Sequence, residues 1–207
     1  MAPSPQPPRF PDCTGALVAG GQGSRLGGVA KGLLRLEGEP IVGRTLRLFA
    51  GLFPESLLVA NEATPYAAFD VRATPDLVPG RGAPGGLHAA LSAARTEWVF
   101  TVACDMPFLD EAQIAWLAAQ REGTPAVAVV WHGQLQPLHA FWSRACLPTI
   151  DRMIREGQPS MWQLATAVGA RFLDEGAWRA IDPDGRAFEN VNTPVDAARL
   201  GLLLPSV

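Results

Sequence analysis

The feature that most constrains this chain is an apolar run that passes without a break into a glycine-rich loop. Residues 14–19 carry the pattern of a strand covered on both faces, as in a parallel sheet. Gly20, Gly21, Gly23, Gly27 and Gly28 follow, so the backbone there can take positive φ and approach a ligand with no Cβ in the way. Arg25 and Lys31 place two fixed cations beside the peptide N–H groups of this loop. A buried strand, bare backbone and two cations together predict a cradle for a polyphosphate.

Spacing excludes two common phosphate loops. A P-loop sets lysine directly after glycine and follows it with a Mg²⁺-binding hydroxyl, whereas here Lys31 precedes Gly32. A dinucleotide fold needs G-x-G-x-x-G and an acid at the end of the second strand. Gly21, Gly23 and Gly27 are spaced one residue too wide, and the second predicted strand, residues 56–60, ends at Asn61. What remains is a loop with its own arginine and lysine after the first strand of an α/β sheet.

Further along, residues 32–36 are short and apolar, residues 37–40 read as a turn, and residues 41–50 have helical apolar spacing. Residues 75–86 are too rich in Gly and Pro to predict regular structure, and a helix is expected over 87–94. Residues 98–104 form the clearest central strand, with Asp105 at its carboxyl end, where open α/β sheets bind ligands. Asp110 is expected to cap a helix reaching about residue 121. Residues 126–131 and 137–142 predict a hairpin around Gly133-Gln134, and helices are expected over 143–156, 160–168 and 194–203. Strands alternating with helices predict a three-layer, Rossmann-like α/β fold, its central sheet mostly parallel with an antiparallel part in the second half.

The 207 residues suffice for one sizeable domain, and a net charge of −3 without a lysine-rich stretch argues against nucleic-acid or anionic-membrane partners. Cys13, Cys104 and Cys146 are odd in number and widely separated, which fits neither a disulfide framework nor a zinc site. Residues 1–12 read as a proline-rich tail without the apolar core of a signal peptide, and the apolar C-terminus is too short to span a bilayer. A cytoplasmic protein is expected, with one domain over residues 13–207.

Four stretches then carry a family resemblance. Leu17-Val-Ala-Gly-Gly-Gln-Gly-Ser-Arg-Leu-Gly-Gly-Val-Ala-Lys-Gly-Leu-Leu34, Gly82-Ala-Pro-Gly-Gly86, Ala103-Cys-Asp-Met-Pro-Phe-Leu109 and Glu189-Asn-Val-Asn-Thr-Pro194 resemble, in order, the motifs of the molybdenum cofactor guanylyltransferases, the MobA family. The resemblance implies a nucleotidyltransferase fold with a nucleotide-binding part over residues 13–109 and an acceptor-binding part over 110–207. It also implies transfer of GMP from Mg-GTP to molybdenum-bound molybdopterin, with molybdoenzymes or cofactor-delivery proteins receiving the product.

By the same resemblance, Arg25 and Lys31 would neutralise the triphosphate and Asp105 would hold Mg²⁺. Val18, Ala19, Gly20 and Gly21 would meet the guanine with backbone groups, and Asn61, Asp76, Gly82 and Gly86 would complete the GTP site. Asn190, Asn192 and His139 would face the acceptor; the period-two spacing of the two asparagines also lets both amides share one face. His88 and His132 receive no role, and the scattered tryptophans read as packing. The Gly20-Gly21 pair favours a guanylyl over a cytidylyl enzyme. The family's usual Asp before the lysine is Ala30 here. That departure keeps two alternatives open: a nucleotidyltransferase for CTP or another phosphorylated acceptor, and a weakly catalytic adaptor that binds nucleotide or cofactor.

Overall fold

The structure is a computed structural model that describes residues 9–19 and 28–205. The expectations for Gly20, Gly21 and Arg25, and for most of the proline-rich tail, therefore lie outside the described residues. The chain opens with β1 (Cys13–Val18), every residue of which is buried. Two two-residue strands, β2 (Arg35–Leu36) and β3 (Glu39–Pro40), form a small hairpin whose turn residues Glu37 and Gly38 both have positive φ. Helix α1 (Ile41–Leu52) follows, burying Ile41, Val42, Thr45, Phe49 and Leu52 along one stripe as its periodicity requires.

The parallel half continues with β4 (Glu55–Val59), β5 (Arg72–Thr74), α2 (Gly82–Ala93) and β6 (Trp98–Ala103). Helix α3 (Glu111–Ala118) opens with a capping box, in which Asp110 accepts from the Gln113 backbone N–H and Gln113 reaches back to the Asp110 N–H. The second half holds β7 (Ala126–Trp131), β8 (Gln134–Ser143), α4 (Leu147–Glu156), α5 (Met161–Val168), β9 (Arg171–Leu173) and α6 (Glu175–Trp178). It closes with α7 (Pro194–Arg199) and β10 (Leu202–Leu203).

Seven strands form one sheet in the order β5-β4-β1-β6-β8-β7-β9. Strands β5, β4, β1 and β6 run parallel, whereas β8 is antiparallel to both β6 and β7. The sheet is therefore continuous across both halves of the chain. Alternation in β1 sends Cys13 and Leu17 into a core shared with α1 and α3, and Ala16 and Val18 into a core shared with α2, α4 and α5. A third cluster, built from Leu34, Leu36, Ile41, Val191, Ala197 and Leu202, ties the β10-β2-β3 sheet to α7.

Several boundaries differ from the sequence expectation for identifiable reasons. Helix α2 starts at Gly82 rather than at residue 87, taking up a segment whose Gly and Pro content argued for a loop. Tertiary packing overrides propensity here, because a Cβ on Gly86 would lie 2.6 Å from Val18 Cγ1 and only glycine lets the helix settle on the end of β1. The last helix stops at Arg199, because Gly201 takes φ of +70° and turns the chain into β10. The second-half hairpin turns at His132-Gly133, both at positive φ, one residue before the predicted pair. Residues 144–146 form a single 3₁₀ turn ahead of α4. The short strands β5 and β9 carry too few residues for an alternation signal.

Gly86→Val tests the close approach of α2 to β1. The β-branched Val18 cannot swing aside cheaply, so the variant should lose about 1–3 kcal/mol of unfolding free energy in a denaturant titration. A stability equal to wild type would show that the helix is free to retreat.

Candidate active site

The site gathers along the carboxyl edge of the parallel strands. The register pairs Val18 with Ala103, and the Cys104 N–H donates to the Val18 carbonyl at 3.0 Å, so the chain leaves β1 and β6 side by side. Asp105 follows directly. Lys31 returns to it from the other end of the glycine loop, at the start of a 3₁₀ turn over Lys31–Leu33. Its Nζ donates to Asp105 Oδ2 at 2.9 Å and to Asn192 Oδ1 at 2.5 Å. Both members of the ion pair are about one-fifth exposed, enough to be reached by a ligand from solvent.

Each of these three residues is held from behind. Gly32 sits against the Tyr66 ring and Cys104, where a Cβ would come to 3.1 Å and 3.4 Å respectively, so the turn carrying Lys31 lies flat on a buried platform. The Val191 N–H donates to the Asp105 carbonyl at 3.0 Å, while the Val191 side chain is fully buried in the third cluster. The Asn192 N–H donates to Asp196 Oδ2, within the Thr193-Asp196 capping box of α7. Burial, then the neighbouring Asp105 charge, pushes the Cys104 thiol up to about 12. The thiol is therefore protonated at neutral pH and serves as packing rather than as a nucleophile.

Beside the ion pair lies a cavity of about 320 Å³. Val18, Ala83 and Met106 give it apolar surface, Asn190 and Asn192 line one side, and Gln136 to Leu138 of β8 line another. Asn61 and Asp76 stand further along the same edge, after β4 and β5. They form a reciprocal pair: Asn61 Nδ2 donates to Asp76 Oδ2 at 3.0 Å, and the Asp76 N–H donates to Asn61 Oδ1 at 2.9 Å. Asp76 approaches the first turns of α2, its Cγ 3.6 Å from where a Gly85 Cβ would stand. Ala19 is tied to β4 through its N–H on the Val59 carbonyl, and Gly82 starts α2 at φ of +57°. The structure thus brings Val18, Ala19, Asn61, Asp76, Gly82, Gly86, Lys31, Asp105, Asn190 and Asn192 to one edge of the sheet.

His139 does not join them on the cavity wall. Its ring is fully buried and edge-on to Phe100, Trp178 and Phe188, at centroid distances of 5.5, 5.3 and 5.4 Å. The reason is strand alternation: at residue 139, β8 still pairs with β6 and turns its side chain into the core behind the wall. Neither ring nitrogen has a partner among the described residues, and burial pushes the imidazole down to about 3, against the opposite pull of Asp182. From the sequence, Tyr66 and the wall residues Gln136 to Leu138 receive no place at the site, although residues 137–142 are expected in a strand and Cys104 lies inside the Asp105 motif. Pro137 within an otherwise alternating strand was the available signal, since proline cannot serve a central ladder and marks a bulge.

Among the described residues, no three His, Cys, Asp or Glu side chains gather as a metal cage. Among the described residues that line the cavity, Asp105 alone offers a carboxylate, and its Oδ1 takes no hydrogen bond from another described side chain. One carboxylate suits a hard divalent cation whose remaining ligands are substrate phosphates and water.

A lysine and a carboxylate thus converge at the carboxyl edge of an open, mostly parallel sheet, the edge at which such folds bind ligands. The MobA-like NTP transferase domain matches residues 15–171, and the chain belongs to that family. It is 33% identical over 181 residues to the molybdenum cofactor guanylyltransferase of Desulfosudis oleivorans, covering 87% of this chain and 90% of that one. The solved molybdopterin-guanine dinucleotide biosynthesis protein A from Archaeoglobus fulgidus shares the fold, with a TM-score of 0.77 and 23% identity over 90% of this chain and 96% of that one. A Mycobacterium tuberculosis protein solved in complex with manganese shares it too, with a TM-score of 0.65 and 20% identity over 95% of this chain and all of that one.

The buried imidazole makes stability depend on pH. In the native state His139 stays neutral down to about pH 3, whereas in the unfolded chain it takes a proton near its ordinary value of 6.5. Between those values the unfolded state binds the extra proton, so stability falls as pH falls below about 6.5. His139→Leu removes this dependence: its unfolding free energy should improve relative to wild type between pH 7.5 and 5. A difference that stays constant over that range would mean that the native ring protonates normally.

Proposed function

We propose that this protein transfers GMP from GTP to the terminal phosphate of molybdenum-bound molybdopterin, releasing pyrophosphate and forming the guanine dinucleotide cofactor. The observation that carries the reading is Lys31 Nζ lying between Asp105 and Asn192, one residue from each side of the reaction. The named activity of the Desulfosudis relative supplies donor and acceptor. The lysine stands where the glycine loop, the central strand and the second-half asparagines meet, which is where a nucleotide and a phosphorylated acceptor would have to touch.

The chemistry asks little of the protein beyond position and charge. A phosphomonoester has a second pKa of about 6, so the attacking oxygen is already largely ionised at neutral pH. That oxygen forms a bond to the α-phosphorus of GTP as the bridging oxygen to the β-phosphate leaves with the bonding pair, in pyrophosphate. Lys31 would neutralise charge developing on the α-phosphoryl oxygens, and Arg25 in the glycine loop would add a second cation. Asp105 would hold a divalent cation, Mg²⁺ in our reading, which when bound supplies further neutralisation of the triphosphate. Asn61, Asp76 and the start of α2 would frame the nucleoside, with base choice resting on the Gly20-Gly21 pair. Asn190 and Asn192 would face the acceptor, dividing the domain into a nucleotide part before residue 110 and an acceptor part after it.

Among the described residues no helix is long and apolar enough to cross a membrane. We place the reaction in the cytoplasm, with molybdoenzymes or cofactor-delivery proteins as recipients.

Incubation of the protein with Mg-GTP and molybdopterin should release pyrophosphate and yield the guanine dinucleotide. Lys31→Ala and Asp105→Asn should each lower kcat by a factor on the order of 10² to 10³, the scale of removing one preorganised electrostatic contact to a transition state. Chelation of divalent cations should stop wild-type turnover. Turnover with CTP but not GTP would overturn the guanine assignment, and full activity of Asp105→Asn would overturn the metal role.

A further inference from the structure

We propose that Gln136 is a specificity-determining residue that binds the heterocycle of the acceptor, presented to the cavity by a bulge in β8. The inference rests on the reading above, that this cavity takes a pterin acceptor.

The bulge is visible in the register. Val127 pairs with Phe141 and Ala128 with Ala140, and then Val129 pairs with Gln136, so β7 advances one residue while β8 advances four. Three extra residues, Pro137 to His139, are thereby accommodated in β8. On its other side β8 pairs with β6 only as far as His139 opposite Val102. Beyond that point the strand leaves β6, and Gln136, Pro137 and Leu138 spread over the end of β6, where Ala103, Cys104 and Asp105 form the facing wall. Bulges next to active sites commonly re-aim side chains in this way.

The protein holds this irregularity firmly. The Pro137 carbonyl accepts from Thr101 Oγ1 at 3.1 Å and from Trp142 Nε1 at 3.3 Å, and both donor residues are fully buried. Proline brings no N–H to be left without a partner. His139 anchors the far end of the bulge among the Phe100, Trp178 and Phe188 rings. Two buried donors, a proline and an aromatic box are thus committed to a three-residue insertion whose visible result is to carry Gln136 and Leu138 to the cavity.

Of the three carboxamides on the cavity wall, Gln136 is the least engaged. Asn190 Nδ2 donates to the Phe188 carbonyl, and Asn192 Oδ1 accepts from Lys31. Gln136 makes only a 3.4 Å contact from Nε2 to the Gln134 carbonyl of its own strand, and its oxygen has no partner among the described residues. A carboxamide offers a donor and an acceptor side by side. That pair matches the N–H and C=O of the lactam in an aminopyrimidinone ring, the carboxamide oxygen accepting from the ring N–H and its NH2 donating to the ring carbonyl, while Val18, Met106 and Leu138 supply apolar surface for its faces. The position on β8, across from the nucleotide-side pair Asn61 and Asp76, assigns Gln136 to the acceptor rather than to GTP.

The test compares wild type, Gln136→Ala, Gln136→Met and, as a control, the exposed Gln134→Ala, by calorimetric titration with molybdopterin and by steady-state kinetics. Gln136→Met keeps the length and nearly the volume but loses the carboxamide donor and acceptor without adding charge, so it reports on recognition if the Ala variant disturbs the bulge. Both Gln136 variants should bind molybdopterin about tenfold more weakly and raise its KM by the same factor, as expected for loss of a hydrogen bond in a desolvated site. The KM for GTP and kcat should stay within twofold, and Gln134→Ala should match wild type. Unchanged molybdopterin affinity in both Gln136 variants, or a KM for GTP that rises in the same proportion, overturns the inference while leaving the transferase reading intact. A wild-type protein that neither binds molybdopterin nor releases pyrophosphate overturns that reading, and this one with it.

Discussion

The parallel pairing of β1 with β6 is the constraint on which everything else here depends. It sets Val18 level with Ala103, and the Cys104 N–H on the Val18 carbonyl extends the ladder one step past the strand end. Ala19 and Asp105, more than eighty positions apart in the chain, therefore leave the sheet together. Because β1 is buried on both faces, neither strand can slip by one residue without sending its apolar side chains to the wrong core. The register that protects the core also fixes the chemistry.

Lys31 converts that register into a site. Its ammonium touches Asp105, from the first half of the sheet, and Asn192, from the segment that enters α7. The pair is partly exposed and within reach of solvent, so it contributes little to stability. Gly32 under Tyr66, Val191 on the Asp105 carbonyl and the capping box of α7 keep the three partners in place from three directions. The residues behind all three are themselves anchored in buried packing or in the α7 cap.

Several residues that attract attention by type do their work by packing. Cys104 lies beside the ion pair, yet burial keeps its thiol protonated. His139 lies one residue from the cavity wall, yet it faces the aromatic core and stays neutral. Burial decides both outcomes, since a low-dielectric surrounding disfavours thiolate and imidazolium alike.

By itself the sequence determined the order of the parallel strands' motifs, the strand that carries Asp105, the capped start of α3 and the family, because these depend on contiguous residues and fixed spacings. Periodicity also placed α1, β4 and β6 to within a residue or two at most ends. Tertiary structure alone decided that residues 82–86 are helical, since only contact with Val18 makes glycines favourable there. It decided that residue 201 turns the chain into β10, which pairs with a strand far back in the sequence. It decided, too, that His139 faces inward while Gln136 reaches the cavity, because a bulge is a mismatch between two strands and neither strand's sequence contains the other. Local pattern fixes what a segment prefers; which face it finally shows depends on the partner it meets.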